Sequence, residues 1–174
     1  DAEYVYEREA LANLCGKRYH GKRNHIKRFM DNDWGYVPIT AQNIEECVSM
    51  QREWCRQNGC ASDDDKIDEG CAVMLALRNF FKLGFKGGLL RQKGKVVAFT
   101  IGEPVGNSTF AVHFEKAFSE IQGAYPAINQ LFVQSEMEGF RYVNREEDTG
   151  SEGLRKAKLC YHPAFLLEKY TAGL

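Results

Sequence analysis

Three segments in the middle of the chain alternate apolar side chains with the period of a β-strand, and a helix and another strand follow them. The first two, KGGLLRQ and KVVAFTIGE, flank Lys93-Gly94, a dipeptide typical of a two-residue hairpin turn. The third, STFAVHFEKA, is predicted to place His113 and Glu115 on a common face. GAYPAINQLFVQSEMEG then has helical spacing, and FRYVNRE returns to that of a strand. This order predicts an α/β (α+β) fold with a mixed central sheet, in which an antiparallel hairpin and a third strand connect through a helix to a parallel strand.

Helical patterns lie on either side of this central region. Residues 1–14 are predicted to form a short helix, and a longer helix with a core-facing stripe follows residue 40. Ser62 and Asp65 have the spacing of a capping box, which predicts a third helix that ends at Gly84. WGYVPI is predicted to be extended, GLRKAKL helical, and FLLEKYTAG extended. We therefore expect the sheet to be flanked by helices.

Composition limits the class of protein more than its function. With 174 residues, 44% of them hydrophobic, the chain can bury one good core. Its 23 Lys and Arg balance 24 Asp and Glu, so net charge favours neither nucleic acid nor an anionic membrane as a partner. No apolar run reaches the roughly 20 residues of a membrane helix. The six cysteines show neither C-x-x-C spacing nor a His pair at ligand spacing, so we expect no metal and a cytoplasmic protein with reduced thiols, peripheral to the membrane at most.

The order of elements resembles the GNAT acyltransferase fold. In that superfamily the last crossover helix commonly ends in a turn of the type K-L-G-F-x-P. Lys158 to Pro163 read KLCYHP here, with Cys160 and Tyr161 in place of Gly and Phe. Over nearly the whole chain, the sequence is similar to a family of uncharacterised proteins related to the C-terminal domain of phosphatidylglycerol lysyltransferase. The segments that carry this similarity are GKRYHGKRNHIKRF, KGGLLRQKGKVVAFTIGE, HFEKA, GAYPAINQLF and YVNREEDTGSEGLRKAKLCYHP.

The resemblance implies a pair of GNAT-like domains in a protein of about twice this length. Residues 1–38 would then be a helical and basic segment, the tail of the preceding GNAT-like domain, and residues 39–174 the C-terminal GNAT-like domain. Lysyltransferases of that kind move an aminoacyl group from a charged transfer RNA to a lipid hydroxyl. We expect an acyl- or aminoacyl-transferase that takes its group from a thioester or a charged tRNA ester and passes it to an amine or hydroxyl acceptor. The expected partners are the preceding domain and a tRNA or phospholipid head group, and we expect no stable DNA binding.

The sequence of the loop that would hold coenzyme A does not decide which cofactor the protein binds. GNAT enzymes that use acyl-CoA present a loop of the type Q/R-x-x-G-x-G/A, whose backbone N–H groups bind the diphosphate at a helix N-terminus. QGAYPA, residues 122–127, stands there, with Tyr125 at the position of the first glycine and a proline that removes one donor. This departure argues against ordinary acyl-CoA binding. Tyr125 marks a helix N-terminus that could instead hold another anion, such as a terminal phosphate of RNA.

Glu115 is the candidate catalytic base. It lies at the end of the third strand, where neighbouring GNAT strands part, and a carboxylate there can take a proton from the acceptor. The alternative is an ion pair of Glu115 with Lys116 or with an arginine. His113 is the second catalytic candidate, and its alternative is a hydrogen-bonded core or edge histidine. The transferase hypothesis requires the strands to part beside Glu115 and to open a polar slot.

Opposed charges crowd the segment that follows the last crossover strand. They suit a substrate that bears both signs, such as an aminoacyl group, with arginines binding a carboxylate or phosphate and acids binding an amine. The alternative is an ion-pair network that locks the loop to the next helix. The candidate substrate-binding residues are Asn129, Asn144, Arg145, Glu146, Asp148, Arg155 and Lys158.

The segment GKRYHGKRNHIKRFM carries six cations and no acid. With Tyr19 and Phe29 interleaved, it could follow a phosphate backbone or phospholipid head groups, and Lys22, Arg23 and Lys27 are the candidate phosphate-binding residues. The alternative is a face that docks on the preceding domain. The rival to a transferase is accordingly a non-catalytic GNAT-like module that recruits RNA or an anionic membrane, and a structural or dimerisation role comes third.

Overall fold

Strands and helices alternate along residues 2–173, the part of the chain that the computed structural model describes. The strands are β1 (Ala2–Glu7), β2 (Trp34–Pro38), β3 (Lys86–Gln92), β4 (Lys95–Val105), β5 (Thr109–Ala117), β6 (Tyr142–Asn144) and β7 (Phe165–Glu168). The helices are α1 (Arg8–Asn13), α2 (His20–Met30), α3 (Ile44–Asn58), α4 (Asp64–Arg78), α5 (Ala124–Glu136) and α6 (Glu152–Leu159). None of these described helices is long and apolar enough to cross a membrane.

The strands form one mixed sheet in the order β2-β3-β4-β5-β6-β1-β7. Neighbours from β2 to β5 are antiparallel, β5 and β6 are parallel through α5, and β1 is antiparallel to both β6 and β7. The predicted hairpin is confirmed, because Lys93 and Gly94 have φ angles of 51° and 78° and both residues of the turn are left-handed. The predicted mixed sheet flanked by helices is also confirmed.

Two hydrophobic cores lie on opposite faces of the sheet. Successive residues of a strand point to different cores, so Leu90 belongs to the first core whereas Leu89 and Phe99 belong to the second. Helices α1, α2 and α5 cover the first core, and α3 and α4 cover the second. The sheet is therefore buried on both faces along β3 and β4.

The predicted helix at the N-terminus is wrong for residues 2–7, which form a strand. Helix α1 begins only at Arg8, and before it Tyr4, Val5 and Tyr6 are buried in the sheet. Aromatic and β-branched side chains favour such a position once partner strands flank them. These partners, β6 and β7, come from the far end of the chain, which a local pattern cannot show.

Residues 2–38 share one sheet with the rest of the chain. β1 lies between two C-terminal strands, and β2 pairs with β3 along its whole length. The buried side chains of α1 and α2 belong to the first core together with those of α5. A domain boundary at residue 38 stays a prediction.

Helix α4 begins and ends at other residues than its pattern predicts. Asp63 is the N-cap in place of Ser62, and its carboxylate accepts a hydrogen bond from the backbone N–H three residues on at 3.4 Å. The helix ends at Arg78, with Asn79 as its C-cap. The apolar residues that follow lie in turns, from which Phe80 still reaches the second core. An apolar residue in a turn can thus extend the helical period beyond the end of a helix.

Gly123 brings the N-terminus of α5 into close contact with α2. Its φ is 79°, in the left-handed region, and a Cβ at this position would lie 2.0 Å from the carbonyl oxygen of His25. Glycine alone allows the two backbones to approach in this way. Gly94 has nearly the same φ, 78°, but no atom of the described residues lies within 4 Å of the position of its Cβ.

We expect Gly123→Ala to destabilise the protein much more than Gly94→Ala. Both variants carry the cost of a left-handed alanine, about 1–2 kcal/mol. Only Gly123→Ala adds an overlap with a neighbouring backbone, which costs roughly a further 1–3 kcal/mol. Urea unfolding of the two variants, followed by circular dichroism, measures the difference. Equal losses would contradict the packing of α5 on α2.

Candidate functional site

β5 and β6 part where the candidate site lies. Their parallel pairing joins residues 109–111 to β6 and ends at Asn144, the last residue of β6. β5 continues to Ala117 and there stays paired with β4. A gap therefore opens at the carboxyl ends of two parallel strands, which is where α/β sheets tend to place ligands. The parting of strands that the transferase hypothesis requires is present beside Glu115.

Three polar side chains fill this gap. Arg145 Nη2 donates to Glu115 Oε1 at 2.9 Å, and Asn129 Nδ2 of α5 donates to Glu115 Oε2 at 3.0 Å. The side chains of Glu115 and Arg145 are 11% and 13% exposed, so the ion pair is largely shielded from water but still in contact with it. Lys116 faces the other way and pairs with Glu69 of α4. The partner of Glu115 is thus an arginine, and such a shielded, charge-assisted pair is stronger than one on the surface.

Two aromatic rings line the Arg145 guanidinium. Its Cζ lies 4.7 Å from the centroid of the Tyr161 ring and 5.8 Å from that of Tyr6. The ammonium of Lys22 also lies on Tyr161, 3.9 Å from its centroid. Burial raises the pKa of both tyrosines, so both phenols stay protonated at neutral pH. The sequence pattern does not single out these two residues as site residues, although Tyr161 lies in the KLCYHP turn.

Two buried atoms beside Glu115 have no hydrogen-bond partner among residues 2–173, namely Nη1 of Arg145 and Oδ1 of Asn129. One atom is a donor and the other an acceptor, and each belongs to a side chain that already holds the carboxylate. Buried polar atoms are nearly always paired in folded proteins, and an unpaired one calls for an explanation such as a catalytic role. Glu115 is therefore flanked by an unused donor and an unused acceptor.

A β-bulge in β5 overturns the prediction that His113 and Glu115 share a face. Consecutive residues of β4 pair with Phe114 and Val112, so His113 between them is an extra residue in the ladder. The alternation reverses across it, because Val112 packs in the first core whereas Phe114 packs against the second. Glu115 consequently faces α5, whereas His113 lies against Phe85, with ring centroids 5.5 Å apart.

His113 is held by two carboxylates from other segments of the chain. Its Nδ1 lies 2.6 Å from Glu146 Oε1, and its Nε2 lies 2.9 Å from Glu103 Oε1. The hydrogen bond with Glu146 raises the pKa of His113, although burial opposes the shift, and Glu103 adds to it. This arrangement corresponds to the hydrogen-bonded alternative for His113. Glu103 is a further residue that the sequence did not single out.

Lys158 joins the charged segment after β6 to α6. Its Nζ donates to the backbone carbonyls of Arg145, Glu146 and Glu147 at distances of 2.5–3.1 Å. Burial, followed by the nearby charge of Arg145, lowers the pKa of Lys158 to about 8. The side chain therefore stabilises the loop, as the network alternative proposed.

Two further candidates of this segment are also engaged. Asp148 Oδ2 accepts from Arg155 Nε at 2.7 Å and from the Tyr4 hydroxyl at 2.8 Å, and these bonds, that of Arg155 first, hold the pKa of Asp148 well below its usual value. Asn144 Nδ2 donates to Glu3 Oε2 at 2.6 Å. A polar cavity of about 180 Å³ opens beside Asp148. The residues that line it are Ala2, Tyr4, Glu147, Asp148 and Arg155.

The basic segment forms α2 and the short turn before it, and its aromatic side chains point inward. Tyr19 and Phe29 are buried in the first core, so neither ring is available to RNA or to a lipid head group. Arg23 donates to two backbone carbonyls before α2 at 2.6 and 2.7 Å. Lys22 lies on an aromatic ring of the site, and Lys27 is exposed. Lys27 is therefore the best placed of the three for contact with a phosphate.

The N-terminus of α5 is covered on one side. Gly123 packs against the backbone of α2, as described above. Tyr125, in the first turn of α5, is exposed. The N-terminus of α5 is therefore closed on the side of α2.

Comparison with known proteins identifies a family and a fold. The profile described as phosphatidylglycerol lysyltransferase, C-terminal, matches residues 1–173. A solved structure of a conserved protein of unknown function from Bacteroides thetaiotaomicron is 48% identical, with a TM-score of 0.91 over 95% of this chain and 57% of the other. The structure of L-PGS from Bacillus licheniformis is 14% identical, with a TM-score of 0.65 over 95% and 57% of the two chains. A tandem GNAT protein from the clavulanic acid biosynthesis pathway is 6% identical, with a TM-score of 0.53 over 95% and 50%.

These likenesses confirm the GNAT-like fold. This chain spans little more than half the length of the first two solved relatives and half that of the third. The activity and the partners of the longer proteins are therefore separate questions from the fold.

We expect Glu115 and Arg145 to be strongly coupled in stability. Arg145→Met should cost about 3 kcal/mol, because it leaves a shielded carboxylate without its charged partner. The double variant with Glu115→Gln should lose less than the sum of the single losses, by at least about 1 kcal/mol. Urea unfolding of the four proteins measures the coupling.

The exposed pair of Lys156 and Glu152 is the matched control for that cycle. Its side chains are 76% and 80% exposed, so its coupling should stay below about 0.5 kcal/mol. Equal coupling for the two pairs would mean that the gap does not shield Glu115 and Arg145.

Asp148 should contribute to stability at neutral pH and lose that contribution in acid. Its folded pKa is depressed by Arg155 and Tyr4, so its stabilisation is present above the unfolded value of 3.8 and disappears as the pH falls through the folded value. The difference in urea midpoint between wild type and Asp148→Asn should therefore be constant near neutrality and shrink below about pH 4. A difference that grows in acid would contradict this prediction.

Proposed function

This chain belongs to the phosphatidylglycerol lysyltransferase C-terminal family, and on that premise we propose that it is an acyl- or aminoacyl-transferase domain. It would take its group from a thioester or from the ester of a charged tRNA and pass it to an amine or hydroxyl acceptor, for which a phospholipid is one candidate. The observation that carries the proposal is the Glu115–Arg145 pair, which stands in the gap between β5 and β6 of a GNAT-like sheet.

Glu115 is proposed as the base, and Arg145 as the group that binds the carbonyl oxygen. A carboxylate has about four lone-pair positions, of which Arg145 and Asn129 use two, so an N–H or O–H of the acceptor can still bind. Attack on the carbonyl carbon forms the bond to the acceptor, transfers the acceptor's proton to Glu115 and moves the carbonyl electrons onto oxygen. Nη1 of Arg145, which has no other partner among residues 2–173, can stabilise this oxyanion. Collapse then breaks the bond to the leaving oxygen or sulfur, which takes the proton from Glu115.

Three of the other candidate residues, Asp148, Arg155 and Lys27, would bind the substrate. Asp148 and Arg155 line the polar cavity, where they present both signs of charge to an amino-acid group. Lys27, exposed on α2, would contact a phosphate of tRNA or of a lipid head group. The greater length of the relatives supports a preceding domain as a partner. Acyl-CoA and charged tRNA both remain donors to be tested.

A GNAT-like binding module without turnover is the second candidate function. It is favoured by the internal pairing of the charges, because Arg155 holds Asp148 and Lys158 holds three carbonyls of the loop. In that case the polar groups would serve the fold, and the exposed cations of α2 would recruit RNA or an anionic membrane.

Glu115→Gln separates the two functions. A transferase should move a radiolabelled aminoacyl group from charged tRNA, or an acyl group from acyl-CoA, to phospholipid vesicles or to a soluble amine. Removal of the base should then lower kcat by roughly 10²–10⁴-fold, while binding of tRNA or acyl-CoA stays unchanged. Glu120→Gln, at an exposed residue of the β5–α5 connection, is the control and should keep full activity.

The outcome for the wild-type protein decides between the candidates. Binding of tRNA or of anionic vesicles, without transfer from either donor, would establish the binding module. No binding of any of these ligands would contradict both functions.

A further inference from the structure

His113 connects β4 to the segment that carries Arg145. As the extra residue of the β5 bulge, it places its imidazole between Glu103 of β4 and Glu146, the residue that follows Arg145. These two carboxylates are the titratable groups that face the ring, and Phe85 packs against it from the turn before β3. The imidazole therefore bridges the sheet and the loop next to the point where β5 and β6 part.

The two contacts of His113 together require an imidazolium. A neutral imidazole has one N–H donor and one acceptor nitrogen, whereas a carboxylate offers acceptors alone. With both ring nitrogens at 2.6–2.9 Å from carboxylate oxygens, both must donate. A neutral His113 would keep one carboxylate and release the other.

The backbone of Glu146 needs to be held in place. Its φ is 59°, a left-handed conformation that is unfavourable for a residue with a side chain. Its N–H donates to Asn144 Oδ1 at 2.8 Å, its carbonyl accepts from Tyr4 N and from Lys158 Nζ, both at 3.1 Å, and His113 holds its carboxylate. Arg145 is the adjacent residue, so a relaxation of Glu146 would move the guanidinium relative to Glu115.

We infer that His113 is a positioning residue whose imidazolium, by holding Glu146, fixes Arg145 against Glu115. The inference rests on the proposed function in one respect, namely that Glu115 and Arg145 are the reacting pair. The contact with Glu146 raises the pKa of His113, so the charge-assisted bond to Glu146 is present at low pH. As the pH rises through the folded value, the neutral ring either releases Glu146 or keeps it by a weaker, uncharged N–H bond. His113 itself touches neither the acyl group nor the acceptor.

Two substitutions of His113 each keep one of its two contacts and remove the other. The amide nitrogen of asparagine reaches the position of Nδ1, so His113→Asn keeps the contact with Glu146. The amide nitrogen of glutamine reaches the position of Nε2, so His113→Gln keeps the contact with Glu103. Nitrogen-15 NMR of the Arg145 Nε–Hε signal, recorded from about pH 5 to about pH 9 around the histidine range, reports the environment of the guanidinium. Urea unfolding shows whether each variant keeps its fold.

The inference predicts a different result for each protein. In wild type the Arg145 signal should shift with the titration of His113. In His113→Asn it should stay at its low-pH position throughout, and in His113→Gln it should be displaced at every pH. Glu103→Gln should leave the signal near its low-pH position. An Arg145 signal that responds to neither pH nor the two His113 variants would overturn the inference, and the wild-type titration decides it even if a variant fails to fold.

The NMR result is independent of the proposed function. If transfer is observed, kcat should fall with the same pH midpoint as the Arg145 shift, with KM unchanged, and His113→Asn should remove that pH dependence. If no transfer is observed with any donor, the proposed function fails while the Arg145 titration still supports or overturns the role of His113.

Discussion

The antiparallel pairing of β1 with β6 holds the candidate site together. The carbonyl of Tyr4 accepts from Arg145 N at 2.9 Å, and its N–H donates to Glu146 O at 3.1 Å, so one residue of β1 fixes two consecutive residues after β6. The side chains of the same strand extend this contact, because the Tyr4 hydroxyl binds Asp148 and the Tyr6 hydroxyl donates to the carbonyl of Lys158 at 2.8 Å. A segment so rich in charge has little apolar surface of its own to bury. Its fixed conformation, and with it the direction of Arg145, depends on β1.

The parts of the fold that follow from local patterns could be predicted from the sequence, and those that follow from distant partners could not. The β3–β4 hairpin needs only its two strands and the Lys93-Gly94 turn, and α5 needs only its own periodicity. β1 is different, because AEYVYE is short and continues directly into a helix, and nothing beside it in sequence indicates a strand. The bulge at His113 could not be predicted either. It is a shift of register between β4 and β5, and both strands carry apolar side chains on both faces.

The members of the candidate site could be found individually, but their arrangement could not. The sequence predicts Glu115 at the end of its strand and Arg145 in the loop after the next one, and the gap brings them together at 2.9 Å. Periodicity places Asn129 on α5 but does not show that it faces the carboxylate, and it gives no sign that two tyrosines enclose the guanidinium. Charge runs were the least informative signal. The cations of the N-terminal segment look alike in sequence, yet Arg23 serves a backbone turn whereas Lys27 faces solvent.

The position of β1 in the sheet also bears on how the protein is made. Tyr4 and Asp148, which bind each other, are 144 residues apart. The entropy of closing a loop grows only with the logarithm of its length, so this separation costs little stability, but contacts between such distant residues slow folding. During synthesis β1 leaves the ribosome before β6 and β7 exist, and until they appear both of its edges can pair with other chains. The gap between β5 and β6 acquires its arginine only after β1 to β6 have been translated, so a shorter nascent chain carries no assembled site.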